Sequence, residues 1–218
     1  MNKTTGRQSA SEYTDDQDNS LSSTPQFLFP YLERGQDLLD YGCGTGIATL
    51  ELADVLFPGH VTGIDVHDTR GAEQLAFGRE LVNARFHTGN GYQLPFQNET
   101  FDIIYSHDLL EILEHPITAL KELCRVLRSG GILAISYAQQ ASSTWQQQNI
   151  ANGAPLTPST ILNVWMTAMD LTILEAASWK PPFPRTSQHG SAILISESPA
   201  SCGLANCLSR IYSVARKS

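Results

Sequence analysis

Nowhere in this chain do apolar residues run together for the roughly 18 positions that a membrane span needs. The opening stretch, MNKTTGRQSASEYTDDQDNS, lacks the apolar centre of a signal peptide, so the expectation is a soluble, unexported, cytoplasmic protein with no membrane partner. Cysteine is scarce. Cys43, Cys124, Cys202 and Cys207 form no disulfide-like framework, and the short spacing of a zinc site is missing, so no metal is expected. Positive charge is also short, with 14 Lys and Arg against 22 Asp and Glu, a net charge of −8 and no basic run. Affinity for nucleic acid rests on neutralising phosphates with Lys and Arg, so nucleic acid is disfavoured as a partner.

What is present is the composition of a globular domain: 41% apolar residues in 218, enough to bury a core without staples. Residues 1–24 are rich in Ser, Thr, Asp, Asn and Gln and read as a flexible N-terminal arm. From Pro25 short β-rich runs alternate with amphipathic stretches, the pattern of βα units around a parallel sheet. Strands are expected at 37–41, 61–65, 84–87, 101–106, 132–137, 171–176 and 192–196. Helices are expected at 47–56, stopped by Pro58-Gly59, at 72–80, from Pro116 and over 157–169. The Pro116 helix carries Ile117, Leu120, Leu123, Cys124 and Leu127 on one face, and Gly130-Gly131 reads as its stop. One domain over 25–198 is expected, and 199–218, weakly patterned, is set aside as a C-terminal tail. The fold class is α/β, a doubly wound, mostly parallel sheet with helices on both faces.

The chemistry gathers at Asp40-Tyr41-Gly42-Cys43-Gly44-Thr45-Gly46, which ends one strand and opens a helix. Glycine there permits a tight turn and the close approach of a ligand, at the carboxyl edge where such sheets bind. Asp65 ends the next strand, where a carboxylate can accept bonds from both hydroxyls of a ribose. A G-x-G-x-G string alone is weak and also serves helix–strand packing. It lacks the G-x-x-G ending that seats a pyrophosphate on a helix N-terminus, so a nucleoside without phosphates fits better than a dinucleotide.

Four blocks in order, LLDYGCGTGIATLELA, GIDV, LPFQNETFDIIYS and ALKELCRVLRSGGILAIS, resemble class I S-adenosylmethionine-dependent methyltransferases, especially the small-molecule branch typified by quinone-biosynthesis enzymes. The resemblance covers about residues 35–137 and implies a seven-stranded sheet with the last strand antiparallel. It implies S-adenosylmethionine as cofactor, with Asp40, Tyr41, Gly42, Cys43, Gly44 and Gly46 near the methionine moiety, Asp65 on the ribose and Val66 bordering the adenine. Asn90, between Gly89 and Gly91 and followed by Tyr92, stands where the family usually has an Asp for the adenine amino group; its bland reading is a turn residue. Glu111 stands where the family usually carries a His.

Ser106-His107-Asp108-Leu109-Leu110-Glu111 follows the fourth expected strand and should line the pocket beside the donor sulfur. Ser106 and His107 are thus cofactor contacts, and His107 is the first candidate base, its bland reading a hydrogen-bonded structural group. Asp108 and Glu111 follow it, their bland reading helix N-terminal carboxylates. Acceptor choice should fall to the arm with Tyr13, the 139–156 insertion with Trp145, and Trp179 to Pro184. The leading expectation is methyl transfer to a small-molecule acceptor through O, N or C. The alternatives are a catalytically silent cofactor-binding subunit, and an enzyme that uses the bound sulfonium without transferring methyl.

Overall fold

The structure, a computed structural model, describes residues 26–138, 150–151, 154–155, 157–179 and 210–218. Residues 1–24, Tyr13, Trp145 and the strand expected at 192–196 lie outside the described residues.

A 3-10 helix, Gln26–Tyr31, leads into β1 (Leu38–Tyr41), α1 (Ile47–Leu56), β2 (Val61–Asp65), α2 (Arg70–Gly78), β3 (Ala84–Thr88) and β4 (Phe101–His107). A short 3-10 turn, Leu110–Ile112, precedes α3 (Pro116–Val126) and β5 (Leu127–Ala138). β6 (Ile150–Ala151) and β7 (Ala154–Pro155) pair as a small hairpin, followed by α4 (Pro158–Thr167), β8 (Leu171–Trp179) and β9 (Arg210–Lys217). Among the described residues seven strands form one sheet in the order β3-β2-β1-β4-β5-β9-β8, with β9 antiparallel to both neighbours. The expected doubly wound, mostly parallel seven-stranded sheet is therefore the fold.

Side-chain parity explains why the central strands are apolar throughout. Successive residues of a strand face opposite sides, and both sides of this sheet are covered. Leu38, Ile103, Tyr105, Ile132, Ala134 and Val214 pack into one core cluster with Leu52 and Leu56 of α1. Leu39, Tyr41, Ile104, Leu133, Ile135 and Ala215 pack into another with Leu120 and Leu123 of α3.

Two expectations need correcting. Gly130-Gly131 does not stop the Pro116 helix: α3 ends at Val126, and Leu127, expected on its apolar face, opens β5. The two glycines lie inside the strand, where the pairing with β4 jumps from Phe101↔Leu127 to Ile103↔Ile132. Gly130 takes φ 78°, and a Cβ on Gly131 would stand 2.8 Å from the Asp102 carbonyl oxygen. A bulged strand pressed against its neighbour gives the same glycine pair as a helix stop. The second correction concerns the stretch set aside as a tail: Arg210–Lys217 is the strand between β5 and β8, with Tyr212, Ser213, Val214 and Ala215 buried.

Candidate active site

β1 and β4 are neighbours, yet the chain leaves β1 toward β2 and β3 on one side and returns to β4 on the other. The crevice beyond their carboxyl ends is the switch point at which doubly wound sheets take ligands. The glycine turn after β1 and the His107 segment after β4 both end there.

Within the turn the glycines divide the work. Gly46 (φ 78°) caps α1, and a Cβ there would stand 2.5 Å from Ala72 Cβ and 2.8 Å from the Phe86 ring, so it is a packing position. A Cβ on Gly42 would meet Leu109 at 2.5 Å. Gly44 (φ 51°) differs: nothing lies within 4 Å of where its Cβ would be, so a ligand can lie against its backbone. Tyr41 is buried and its ring crowds Gly91, where a Cβ would be 2.3 Å from the hydroxyl.

Asp40 is buried beneath the turn and accepts a 2.6 Å bond from the Thr49 hydroxyl of α1. Burial first, with Asp65 adding and Thr49 opposing, pushes its carboxyl up to about 6. Burial, then Asp40 and Asp65, push the Cys43 thiol up to about 12, which leaves it an inert wall. Asp65 accepts from Gly44 N–H at 2.9 Å and from both the His67 N–H and Nδ1 at 2.9 Å. Burial raises its carboxyl, but the bonds from His67 and Gly44 outweigh that and hold it below its usual value. A carboxylate offers about four lone-pair positions, so a ribose diol would take one remaining position and displace the 89%-exposed His67 side chain from another. Val66 is open to solvent beside it. The Asn90 side-chain carbonyl accepts from Tyr92 N–H at 2.9 Å, so the residue does hold a turn; an amide oxygen has a second lone pair for a ligand. The Tyr92 hydroxyl accepts from His115 N–H at 3.2 Å.

At the end of β4, Ser106 is fully buried, and its hydroxyl has no partner among the described residues. His107 Nδ1 lies 2.5 Å from the buried Ser136 hydroxyl of β5, and its Nε2 lies 3.5 Å from Asp108 Oδ2. Tyr105, also fully buried, stacks on His107 with centroids 6.2 Å apart, and its hydroxyl too has no described partner. Burial, then Asp40, Asp108 and Glu51, raise that phenol well above its usual value. Glu111 is buried in the 3-10 turn, and burial first, then the Glu111 charge, raise the Tyr137 phenol well above its usual value. The expected site residues are thus brought to one edge of the sheet. Sequence reasoning missed Thr49, His67, Tyr105 and Ser136. Only the parallel register, which sets Ser136 beside His107, reveals that pair.

The residues fit a cationic nucleoside. The turn is open at Gly44, the buried Tyr105 and Ser106 hydroxyls have no partner among the described residues, and Asp40, Asp65 and Asp108 supply negative charge to a partly dry site. Among the described residues no group of His, Cys, Asp and Glu could hold a metal. Among the described residues no helix is long and apolar enough to cross a membrane. A cavity of about 350 Å³ between Tyr31, Asp102, Arg128 and Arg216 lies at the opposite, amino-terminal edge of the strands, away from this chemistry.

An open glycine turn and flanking carboxylates at the switch point make a doubly wound α/β protein whose crevice suits a nucleoside. Residues 39–135 match the family described as "Methyltransferase domain". Over 109 residues the chain is 38% identical to an O-methyltransferase of Aspergillus nomiae, covering 47% of each protein. Over 124 residues it is 33% identical to a demethylmenaquinone methyltransferase of Listeria welshimeri, covering 53% of this chain and 51% of that one. The chain spans about half the length of these curated relatives. In fold it is similar to the [4+2]-cyclase SpnF, with a TM-score of 0.65 and 24% identity over 88% of this chain and 78% of that one.

Proposed function

We propose that the chain transfers the methyl group of S-adenosylmethionine to a small-molecule acceptor through an O, N or C nucleophile. The observation that carries this reading is the turn at Gly44, open on its ligand side and flanked by Asp40 and Asp65 at the switch point. The names of the two curated relatives support methyl transfer and a small-molecule acceptor. The bound sulfonium supplies an activated methyl group, and most of the acceleration then comes from holding the acceptor in line with it.

In this reading Asp65 holds the ribose, Asn90 and Val66 border the adenine, and Asp40 sets a negative field under the methionine end. Ser106, Tyr105 and the His107–Asp108 pair face the reacting centre. The net charge of −8 weighs against a phosphate-rich acceptor.

Calorimetry with S-adenosylhomocysteine and with NAD tests the cofactor half: the first should bind and the second should not. Tight NAD binding with no response to S-adenosylhomocysteine would sink the reading. Release of S-adenosylhomocysteine on addition of a metabolite extract tests the transfer half. Binding without release in any extract would move the reading to a silent cofactor-binding subunit, or to use of the sulfonium without transfer.

A further inference from the structure

We propose that Asp108, not His107, takes the proton of the acceptor, and that His107 and Ser136 are the positioning residues that prepare it. This rests on the proposed methyl transfer and deepens it: the acceptor is a nucleophile carrying an N–H, O–H or acidic C–H.

The two imidazole nitrogens decide the matter. Ser136 pairs with His107 in the parallel register of β4 and β5, is fully buried, and brings its hydroxyl to 2.5 Å from Nδ1. Its backbone carbonyl accepts the Asp108 N–H at 2.9 Å, and Asp108 takes φ 50°, a turn that carries its carboxylate back toward the ring. Oδ2 then lies 3.5 Å from Nε2. A non-glycine residue at such a φ is sparsely populated and is held only by its surroundings; here one serine holds both the ring and the turn.

A neutral imidazole has one N–H and one lone pair, whereas an ionised carboxylate only accepts. A bare Nε2 facing Asp108 would set lone pair against lone pair. The N–H therefore sits on Nε2, and the Nδ1 lone pair accepts the Ser136 hydroxyl proton. If the ring is protonated instead, both nitrogens donate, to Asp108 and to the Ser136 oxygen. In neither state does His107 offer a lone pair to a substrate, and in both it donates toward Asp108. Tyr105 stacked against the ring limits its rotation. As the new bond to the methyl carbon forms, the electron pair of the broken S–C bond stays on sulfur. The acceptor's proton passes to Asp108 and from there to water.

The ligand-free protein and its complex with S-adenosylhomocysteine, labelled with ¹⁵N at histidine, report the tautomer directly. Nε2 should be protonated in both, with Nδ1 showing either a hydrogen-bonded lone pair or, in the protonated ring, a second proton. A protonated Nδ1 with a bare Nε2 overturns the assignment whatever the activity. With the acceptor found in the extract, Asp108→Asn should lower kcat on the order of 100-fold while S-adenosylhomocysteine affinity stays within a few-fold. His107→Gln, which keeps an N–H donor, should retain far more activity than His107→Ala. If Gln proves as inactive as Ala and Asp108→Asn keeps the parent rate, His107 is the base and the proposal fails. Ser136→Ala should leave the N–H on Nε2 but shift the Nδ1 signal to that of a lone pair without its hydroxyl donor, and Ser136→Thr should restore the parent signature. Failure of the methyl-transfer reading shows up separately, as absent S-adenosylhomocysteine binding with an unchanged histidine spectrum.

Discussion

Asp40 is the clearest case of one side chain held at a cost to stability. Its carboxyl is pushed up to about 6 chiefly by burial, with Asp65 on the next strand raising it further and Thr49 of α1 lowering it. Cys43 and Tyr105, which also face it, carry no opposite charge. An acid raised above its unfolded value near 3.9 weakens the fold when ionised, so the penalty is full above about pH 6 and fades as pH falls toward 4. Asp40→Asn, which keeps an acceptor for Thr49, should stabilise the ligand-free protein by roughly 1–3 kcal/mol at pH 8 and by less at pH 4.5. Denaturant titration at the two pH values checks this, and an equal gain at both would remove the electrostatic cause. The same variant should bind the cationic donor more weakly. His67 makes a second residue-scale case, because its exposed ring occupies Asp65 where a ribose would bind. An exposed pair of this kind is worth about 0–1 kcal/mol. His67→Ala should therefore leave S-adenosylhomocysteine affinity equal or a few-fold tighter in calorimetry, whereas Asp65→Ala should cost on the order of 2–4 kcal/mol. A tenfold loss in His67→Ala would make His67 a ligand contact instead.

At the scale of elements, the glycine turn joins a strand to a helix with three left-handed residues that differ in what surrounds them. Gly46→Ala adds a methyl into Ala72 and Phe86 at positive φ, and should lower stability by about 2–4 kcal/mol. Gly44→Ala meets only open space, so it should cost about 1–2 kcal/mol from φ alone and act mainly on cofactor affinity. Thermal unfolding beside calorimetry separates them; equal melting temperatures would mean that α1 shifts to accept the Gly46 methyl. The sequence showed that this string ends a strand and opens a helix, since Asp40-Tyr41 precedes it and Ile47–Leu56 follows at helical spacing. It did not show which glycine is left open on its outer side, because that depends on Ala72, Phe86 and Leu109, far along the chain. Gly130-Gly131 misled for a related reason: a helix stop and a strand bulge demand the same conformational freedom, and only the approach of Asp102 tells them apart.

For the molecule as a whole, β9 is the element on which the far half of the sheet depends. It lies between β5 and β8, and Tyr212 stacks on Phe27 at 4.1 Å across the face that leads into β1. Truncation after Ser209 would open that edge and strip the cover from Val214 and Ala215's partners in both core clusters. The truncated chain should lose a cooperative thermal transition; if it melts like the parent, β9 is peripheral.

The sequence alone determined the order and type of the elements from β1 to β5, the doubly wound sheet, the glycine turn and the carboxylate ending β2. These are local signals: periodicity, caps and turn residues lie within a few positions of what they specify. It did not determine that Arg210–Lys217 completes the sheet, because an antiparallel strand far from its partners carries no local mark of where it will pair. Nor did it determine that His107 is tied to Ser136, 29 residues away, and turned toward Asp108. The sheet's register decided that, and with it which nitrogen carries the proton, because chemistry at a strand end is set by the strand beside it.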